Sequence, residues 1–230
     1  MNNIVAIFKK QLKDTLRNKT VLIQFIMFPI MTLIMNSAIK IQGMPENFFV
    51  NLFATMYIGM APLTSIASII SEEKEKNTLR ILIMSNVKPY EYLLGIGSYV
   101  WLACMLGGLL ICTAGKYNLQ TSIIFMSIMT IGIITSLLVG AIIGIGSKTQ
   151  MMATSITVPV MMVFSFLPML SLFNGTFKKF ARFVYSEQIS RMLNQINSLW
   201  LDSENIGIIG INILIATVLF VLIFKKCKLS

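Results

Sequence analysis

The chain alternates long apolar runs with short polar connections. Each of six runs is about 19 to 25 residues long, the length that an α-helix needs to cross roughly 30 Å of hydrocarbon. The runs cover residues 21–39, 48–70, 92–114, 121–145, 151–173 and 206–224. This pattern predicts an all-α integral membrane protein in which residues 20–230 form a single transmembrane domain of six helices.

Two further segments have helical spacing but lack the apolar length of a span. Residues 1–19 place Ile4, Phe8, Leu12 and Leu16 four residues apart with basic residues on other faces, which predicts an amphipathic helix at the membrane interface. Residues 174–205, between the fifth and sixth runs, repeat apolar residues at mostly helical spacing. They predict an external segment that lies on the membrane surface or re-enters it, either as an anchor or as a lid on a pathway.

The composition and the distribution of charge agree with a membrane protein. Hydrophobic residues make up 56% of the chain and charged residues 12%, whereas soluble domains have about 25% charged residues. The net charge of +10 invites a nucleic-acid interpretation. However, the Lys and Arg residues fall between the apolar runs, where they set topology and meet lipid head groups. We expect the lipid bilayer as partner and no nucleic acid, with both termini cytoplasmic in a multi-pass protein of the cell membrane.

The sequence offers little catalytic chemistry. It has no His and three Cys, which removes the usual general base and most metal sites. The stretch from Gly140 to Thr149 resembles a nucleotide-binding loop, but Ser147 stands where that loop requires its second Gly. No apolar run carries a charged residue well inside it, where proton relays place one. We predict a chain that is no enzyme by itself and holds no metal or cofactor.

A stripe of small residues marks the fourth apolar run. It consists of Gly132, Ser136, Gly140 and Gly144, at strict four-residue intervals. Such a stripe lets the backbone of another helix approach closely, so it predicts helix packing. The partner helix can belong to this chain or to a second copy.

The connection between the second and third runs, residues 71–91, is the most informative part of the sequence. After the charged residues from Glu72 to Lys76, Asn77 and Thr78 offer capping chemistry for a short apolar helix. Pro89 then suits the first turn of the next helix, and Glu91 lies near its positive end. The short helix contains Leu79, Ile81, Leu82, Ile83 and Met84. Apolar residues in such a loop predict contact with another protein or with the inner leaflet.

The same connection resembles the coupling loop of the membrane subunits of type-2 ATP-binding-cassette (ABC) exporters. That family commonly has E-x-E-x-G-T-L-E-x-L-L followed by a Pro-containing turn. The matching positions here are Glu73, Glu75, Thr78, Leu79, Leu82, Pro89, Glu91, Leu94 and Gly95. Three positions depart from the pattern. Asn77 stands where Gly is usual, Arg80 stands where an acidic residue is common, and Ile96 stands where Lys is frequent. Asn tolerates a left-handed turn, so we expect the backbone to be kept, whereas Arg80 changes the charge that a partner would meet.

The resemblance covers essentially the whole chain and implies its partners. It implies a coupling helix that fits a groove on a cytoplasmic ABC ATPase subunit, present in two copies, which binds the ATP and Mg. It also implies a second permease subunit, identical or related. The coupling residues that it implies are Glu73, Glu75, Asn77, Thr78, Leu79, Arg80 and Leu82.

The favoured function is therefore the transmembrane permease subunit of an ATP-driven ABC exporter. The alternatives are an ATP-independent small multispan transporter or channel, or a substrate-capture subunit of an importer; a membrane enzyme would need a polar catalytic set. Met, Phe and Ile side chains, with small polar ones, suit an amphiphilic substrate: first a hydrophobic peptide or peptide antibiotic, then a drug or lipid. The small polar residues expected in the walls are Ser65, Ser68, Thr130, Thr135 and Ser136.

Overall fold

The computed structural model of the chain describes residues 3–17, 19–39, 45, 47–85, 87–196 and 203–226. Within these residues the regular structure is entirely helical, which confirms the prediction of an all-α protein. The α-helices are α1 (Asn3–Arg17), α2 (Lys19–Ala38), α3 (Phe48–Glu75), α4 (Thr78–Met84), α5 (Pro89–Ala114), α6 (Leu119–Gly146), α7 (Gln150–Phe173), α8 (Gly175–Ala181), α9 (Tyr185–Asn194) and α10 (Ser203–Lys226).

Five of these helices are long and apolar enough to cross a membrane: α3, α5, α6, α7 and α10. They contain the apolar runs that begin at residues 48, 92, 121, 151 and 206, so five of the six predicted spans are confirmed as membrane-length helices. In α2 the corresponding apolar portion is the shorter Leu22–Ala38. A sixth span over residues 21–39 stays a prediction.

Helix α3 lies at the centre of the bundle. It packs against α6 and α7 and also contacts α2, α5 and α9. Close approach is possible because small residues face the neighbouring backbones: a Cβ added at Gly59 would lie 2.8 Å from the Phe164 carbonyl carbon of α7. The buried core runs from Val50 near the start of α3 to Ile70 near its end.

The segment between α7 and α10 has two parts with opposite environments. Helix α8 is exposed at nearly every position, whereas α9 packs inside the bundle and buries Ser186, Glu187 and Gln188. The Glu187 carboxylate accepts hydrogen bonds from Ser171 Oγ at 2.8 Å and Arg191 Nε at 3.0 Å. The buried Glu187 carboxylate of α9 is thus partnered by protein groups. Residues 197–202 of the predicted external segment lie outside the described residues.

Candidate functional site

The site lies at the end of the bundle where α3 ends and α4 begins. Helix α3 ends at Glu75 and is capped by Lys76, whose N–H donates to the Glu72 carbonyl. Asn77 follows with φ 57°. This φ is left-handed, a conformation that Gly and Asn adopt most readily. Thr78 Oγ1 then donates to the Glu73 carbonyl at 3.0 Å. Asn77 thus adopts the left-handed turn that was expected at the position of the Gly in the family pattern.

The two faces of α4 have different environments. Leu79 is only 4% exposed and lines a small apolar cavity with Ile70, Ile145 and Phe224. Leu82 is half-buried against the same core. Leu79 therefore packs on the membrane helices of its own chain and lies on the inner face of α4. Its role in coupling to an ATPase stays a prediction.

The outer face of α4 carries the residues that remain accessible. Ile81 is 60% and Met84 77% exposed, and Arg80 is exposed beside them. We call Arg80, Ile81 and Met84 the α4 outer face. It is apolar with one positive charge, and Leu79 fixes it to the bundle from behind.

The junction from α4 to α5 follows the local chemistry of the sequence. The Val87 N–H donates to the Leu82 carbonyl at 3.2 Å. Pro89 occupies the first turn of α5, and the Glu91 carboxylate accepts from the Lys88 N–H at 3.0 Å. The expected placement of Pro89 and Glu91 at the start of this helix is confirmed, so both ends of α4 are fixed by capping interactions.

The charged residues at the end of α3 contact three different helices. Glu73 is buried and accepts from Lys10 and Gln11 of α1, at 2.5 and 2.8 Å. Lys74 Nζ donates to the Ile145 carbonyl at the end of α6. Glu75 accepts from the Gln150 N–H at the start of α7, at 2.6 Å. The end of α3, directly before α4, is therefore joined by hydrogen bonds to α1, α6 and α7.

Helix α1 also packs against the first part of α5, which follows α4. Asn3 Nδ2 donates to the Glu91 carboxylate at 2.9 Å, while Ile7 packs on Gly95 and the Phe8 ring meets the Tyr99 ring edge to face. The residues of α1 that face the bundle include polar Gln11 and Thr15, whereas Leu12 and Leu16 are exposed. The sequence pattern indicated the amphipathic helix but gave no sign that Glu73 and Glu91 would hold it.

The two salt bridges near the end of α3 differ in their exposure to solvent. The hydrogen bond from Lys76 to Glu72, with Nζ and Oε1 2.5 Å apart, raises the pKa of Lys76 above its ordinary value. Both side chains of that pair are substantially exposed, so solvent screens the pair and it adds little stability. The Lys10–Glu73 pair has one buried partner, since the Glu73 side chain is 9% exposed. The described residues hold no group of three or more His, Cys, Asp or Glu placed to bind a metal ion.

The small-residue stripe of α6 lies against α3 of the same chain. A Cβ at Gly140 would lie 2.4 Å from the Leu63 carbonyl oxygen, and one at Gly144 would meet Ile70 and Ala67. Gly132 faces Ile58, and Ser136 Oγ donates to the Ile58 carbonyl at 2.7 Å. The stripe thus packs within this chain, which resolves the alternative that the sequence left open.

Most of the small polar residues that were expected to line a pathway are instead used inside the bundle. Ser65, Thr135 and Ser136 are buried. Ser65 Oγ donates to Gln24 of α2, and Ser136 Oγ also lies 2.7 Å from the Tyr185 hydroxyl of α9. The expectation that these three contribute to exposed walls is wrong, because their hydroxyls satisfy groups within the chain. Ser68 and Thr130 are only half-buried.

The helices described above define an all-α, multi-pass membrane protein. A family model described as ABC-2 family transporter protein matches residues 2–225. The chain therefore belongs to the ABC-2 transporter family and is a membrane permease, a transport component that partners with an ATPase subunit. No curated protein matches the chain.

Proposed function

We propose that the chain is the permease subunit of an ATP-driven exporter and that a separate ATPase drives it through α4. The substrate class that we propose is amphiphilic: a hydrophobic peptide or peptide antibiotic first, then a drug or a lipid. In this proposal the α4 end of the bundle, with both chain termini, faces the cytoplasm of the cell, and substrate leaves at the opposite end.

The observation that carries the proposal is the two-faced packing of α4. Its inner face is held by Leu79, while Ile81 and Met84 project away from the bundle. An apolar surface on a polar connection suits a groove on another protein. A partner docked there can shift the permease between conformations only if its contacts differ between those conformations.

The contacts around α4 support a route for that coupling. The backbone and side chains of residues 73–75 join α4 to α1, α6 and α7 through hydrogen bonds. These bonds connect elements far apart in sequence, so movement of α4 is transmitted to several membrane helices at once. ATP and Mg belong to the ATPase in this scheme.

The exposed surfaces of α7 and α10 support assembly with a second permease subunit and with lipid. Only 22% of the 18-residue apolar stretch of α7 is buried in the chain, and only 11% of the corresponding stretch of α10. The exposed residues of α7 include Met151, Met152, Met162 and Phe166. Flexible Met side chains adapt to varied apolar partners, which suits a pathway for amphiphilic molecules between two subunits.

The test is copurification of the tagged chain with a candidate ABC ATPase subunit. We expect the Ile81→Glu/Met84→Glu variant to lose the ATPase, because burying unpaired carboxylates in an interface is unfavourable. The matched control is Leu119→Glu, which changes an 81% exposed apolar residue at the opposite end and should leave the complex intact.

Two outcomes would contradict this proposal. An unchanged complex with the α4 variant, or equal loss with the Leu119 control, would exclude docking through the α4 outer face. Recovery of no ATPase by the unaltered chain, with transport that survives ATP depletion, would favour the ATP-independent transporter.

A further inference from the structure

The exposed segment between α7 and α9 combines large aromatic rings with lysines. The rings are too apolar to be favourable in water, and the lysines are too polar for a protein core. Phe173 is 75%, Phe180 69% and Phe183 72% exposed, and Phe177 is also exposed. Lys178 and Lys179 lie among these rings and are exposed as well. We call Phe173, Phe177, Phe180, Phe183, Lys178 and Lys179 the α8 patch.

The backbone of the patch is fixed although its side chains are exposed. Asn174 caps α8 by accepting from the Thr176 N–H at 2.9 Å, and Ala181 is fully buried. At the far end, Gln188 donates to the Arg182 carbonyl, and Asn212 of α10 donates to the Phe183 carbonyl at 3.0 Å. The rings are therefore exposed on a helix whose backbone is held in place by hydrogen bonds on both sides.

The charges of the patch lack acidic partners within the described residues. Glu204 is already paired, because it accepts a hydrogen bond from Arg182 Nε at 2.7 Å. Lys178 and Lys179 have no carboxylate within salt-bridge distance in the part of the chain that the structure describes. The patch therefore offers two positive charges between aromatic rings.

We propose that the α8 patch binds the head groups of anionic phospholipids in the leaflet at the end of the bundle opposite α4. Aromatic rings favour the boundary between head groups and acyl chains, and Lys side chains reach the phosphates from there. Each Lys near an anionic membrane surface strengthens binding several-fold. A second copy of the chain is the poorer occupant, because two such patches would bring like charges together.

The experiment places a nitroxide spin label on the patch of the full chain in nanodiscs that hold one copy. The label is attached to Phe180→Cys after Cys227, one of the three cysteines of the sequence, is replaced by Ser; the other two, Cys104 and Cys112, are buried. Collision with oxygen and with a nickel chelate reports the depth of the label. Nanodiscs of phosphatidylcholine alone are compared with nanodiscs in which phosphatidylglycerol is titrated in. A parallel titration with inorganic phosphate separates the lipid from the free anion.

We expect phosphatidylglycerol, and not phosphate, to protect the label from the nickel chelate at head-group depth. Lys178→Gln/Lys179→Gln should weaken this lipid dependence on the order of tenfold, and high salt should weaken it as well. The matched control is Lys9→Gln/Lys13→Gln in α1, which removes the same charge and should leave the label unaffected. Thermal stability in detergent checks that each variant is folded.

Several results would overturn the proposal. The label could be equally open to the nickel chelate in both lipids, or closed to both collision reagents because protein covers it. Equal effects of the α8 and α1 variants would show a general electrostatic attraction. Protection by phosphate alone would show an anion site without lipid.

Discussion

Helices α3 and α10 show how differently two membrane helices of one chain can be used. Among the five membrane-length helices α10 is the most apolar and α3 the least. Yet 78% of the 18-residue apolar stretch of α3 is buried in the chain, and only 11% of the corresponding stretch of α10. In lipid, apolarity does not drive helices together; close packing of small residues and polar contacts do. Small residues and polar contacts thus explain the central place of α3, while most of α10 is left uncovered by the rest of the described chain.

The strongest test of this comparison is a side chain added to a glycine that faces α3. We expect Gly140→Leu to lower the free energy of unfolding by more than about 3 kcal/mol, because overpacking at backbone contact forces helices apart. The Leu63 carbonyl oxygen would lie 2.4 Å from the new Cβ. Thermal denaturation in detergent measures the effect.

Its control is the same change in α10. Nothing lies within 4 Å of a Cβ built at Gly210, so Gly210→Leu should change stability by about 0.5 kcal/mol at most. Equal destabilisation by the two variants would contradict the different roles given to α3 and α10.

A second test removes the buried acid at the end of α3. Glu73→Ala takes away the acceptor of Lys10 and of buried Gln11. We expect a loss of about 2 kcal/mol, because a buried amide donor would be left without a partner. Chemical denaturation followed by circular dichroism measures it.

The neighbouring Glu72→Ala serves as the control because its pair with Lys76 is exposed on both sides. Its cost should be about 0.5 kcal/mol or less. If Glu72→Ala were the more destabilising change, the hydrogen bonds from Lys10 and Gln11 of α1 to Glu73 of α3 would not stabilise the protein as described.

How much of this could be predicted from the sequence depends on how local the interaction is. The apolar runs predicted the membrane-length helices because the bilayer imposes both length and composition. The turn at Asn77 and the capping of α5 by Glu91 depend on residues a few positions apart, and both followed from residue type.

Interactions between distant residues could not be predicted from the pattern. Glu73 meets Lys10 across 63 positions, and no periodicity links the two. The burial of Leu79 could not be predicted either, because it depends on the membrane helices on which Leu79 packs. The helical spacing of residues 174–205 indicated a segment on or in the membrane surface, yet α9 packs inside the bundle, where Glu187 accepts from Ser171 and Arg191.

The smallest effect is expected at Asn77, where the central helix ends. Asn77→Val should lower the unfolding free energy by about 1 kcal/mol, because a β-branched residue is strained at the φ of 57°. Asn77→Gly should be within about 0.5 kcal/mol of the unaltered protein, because Gly adopts this conformation freely. Thermal denaturation of the two variants compares them, and equal stability of both would contradict the left-handed turn.

The most direct test of the central claim is transport into inside-out membrane vesicles that contain the chain and its ABC ATPase. A fluorescent hydrophobic peptide serves as substrate, since export from the cell becomes uptake in this arrangement. We predict uptake that requires hydrolysable ATP and that is lost with Ile81→Glu/Met84→Glu but kept with Leu119→Glu. Uptake that continues after ATP is removed, or that is unchanged by the α4 variant, would contradict an exporter driven through α4.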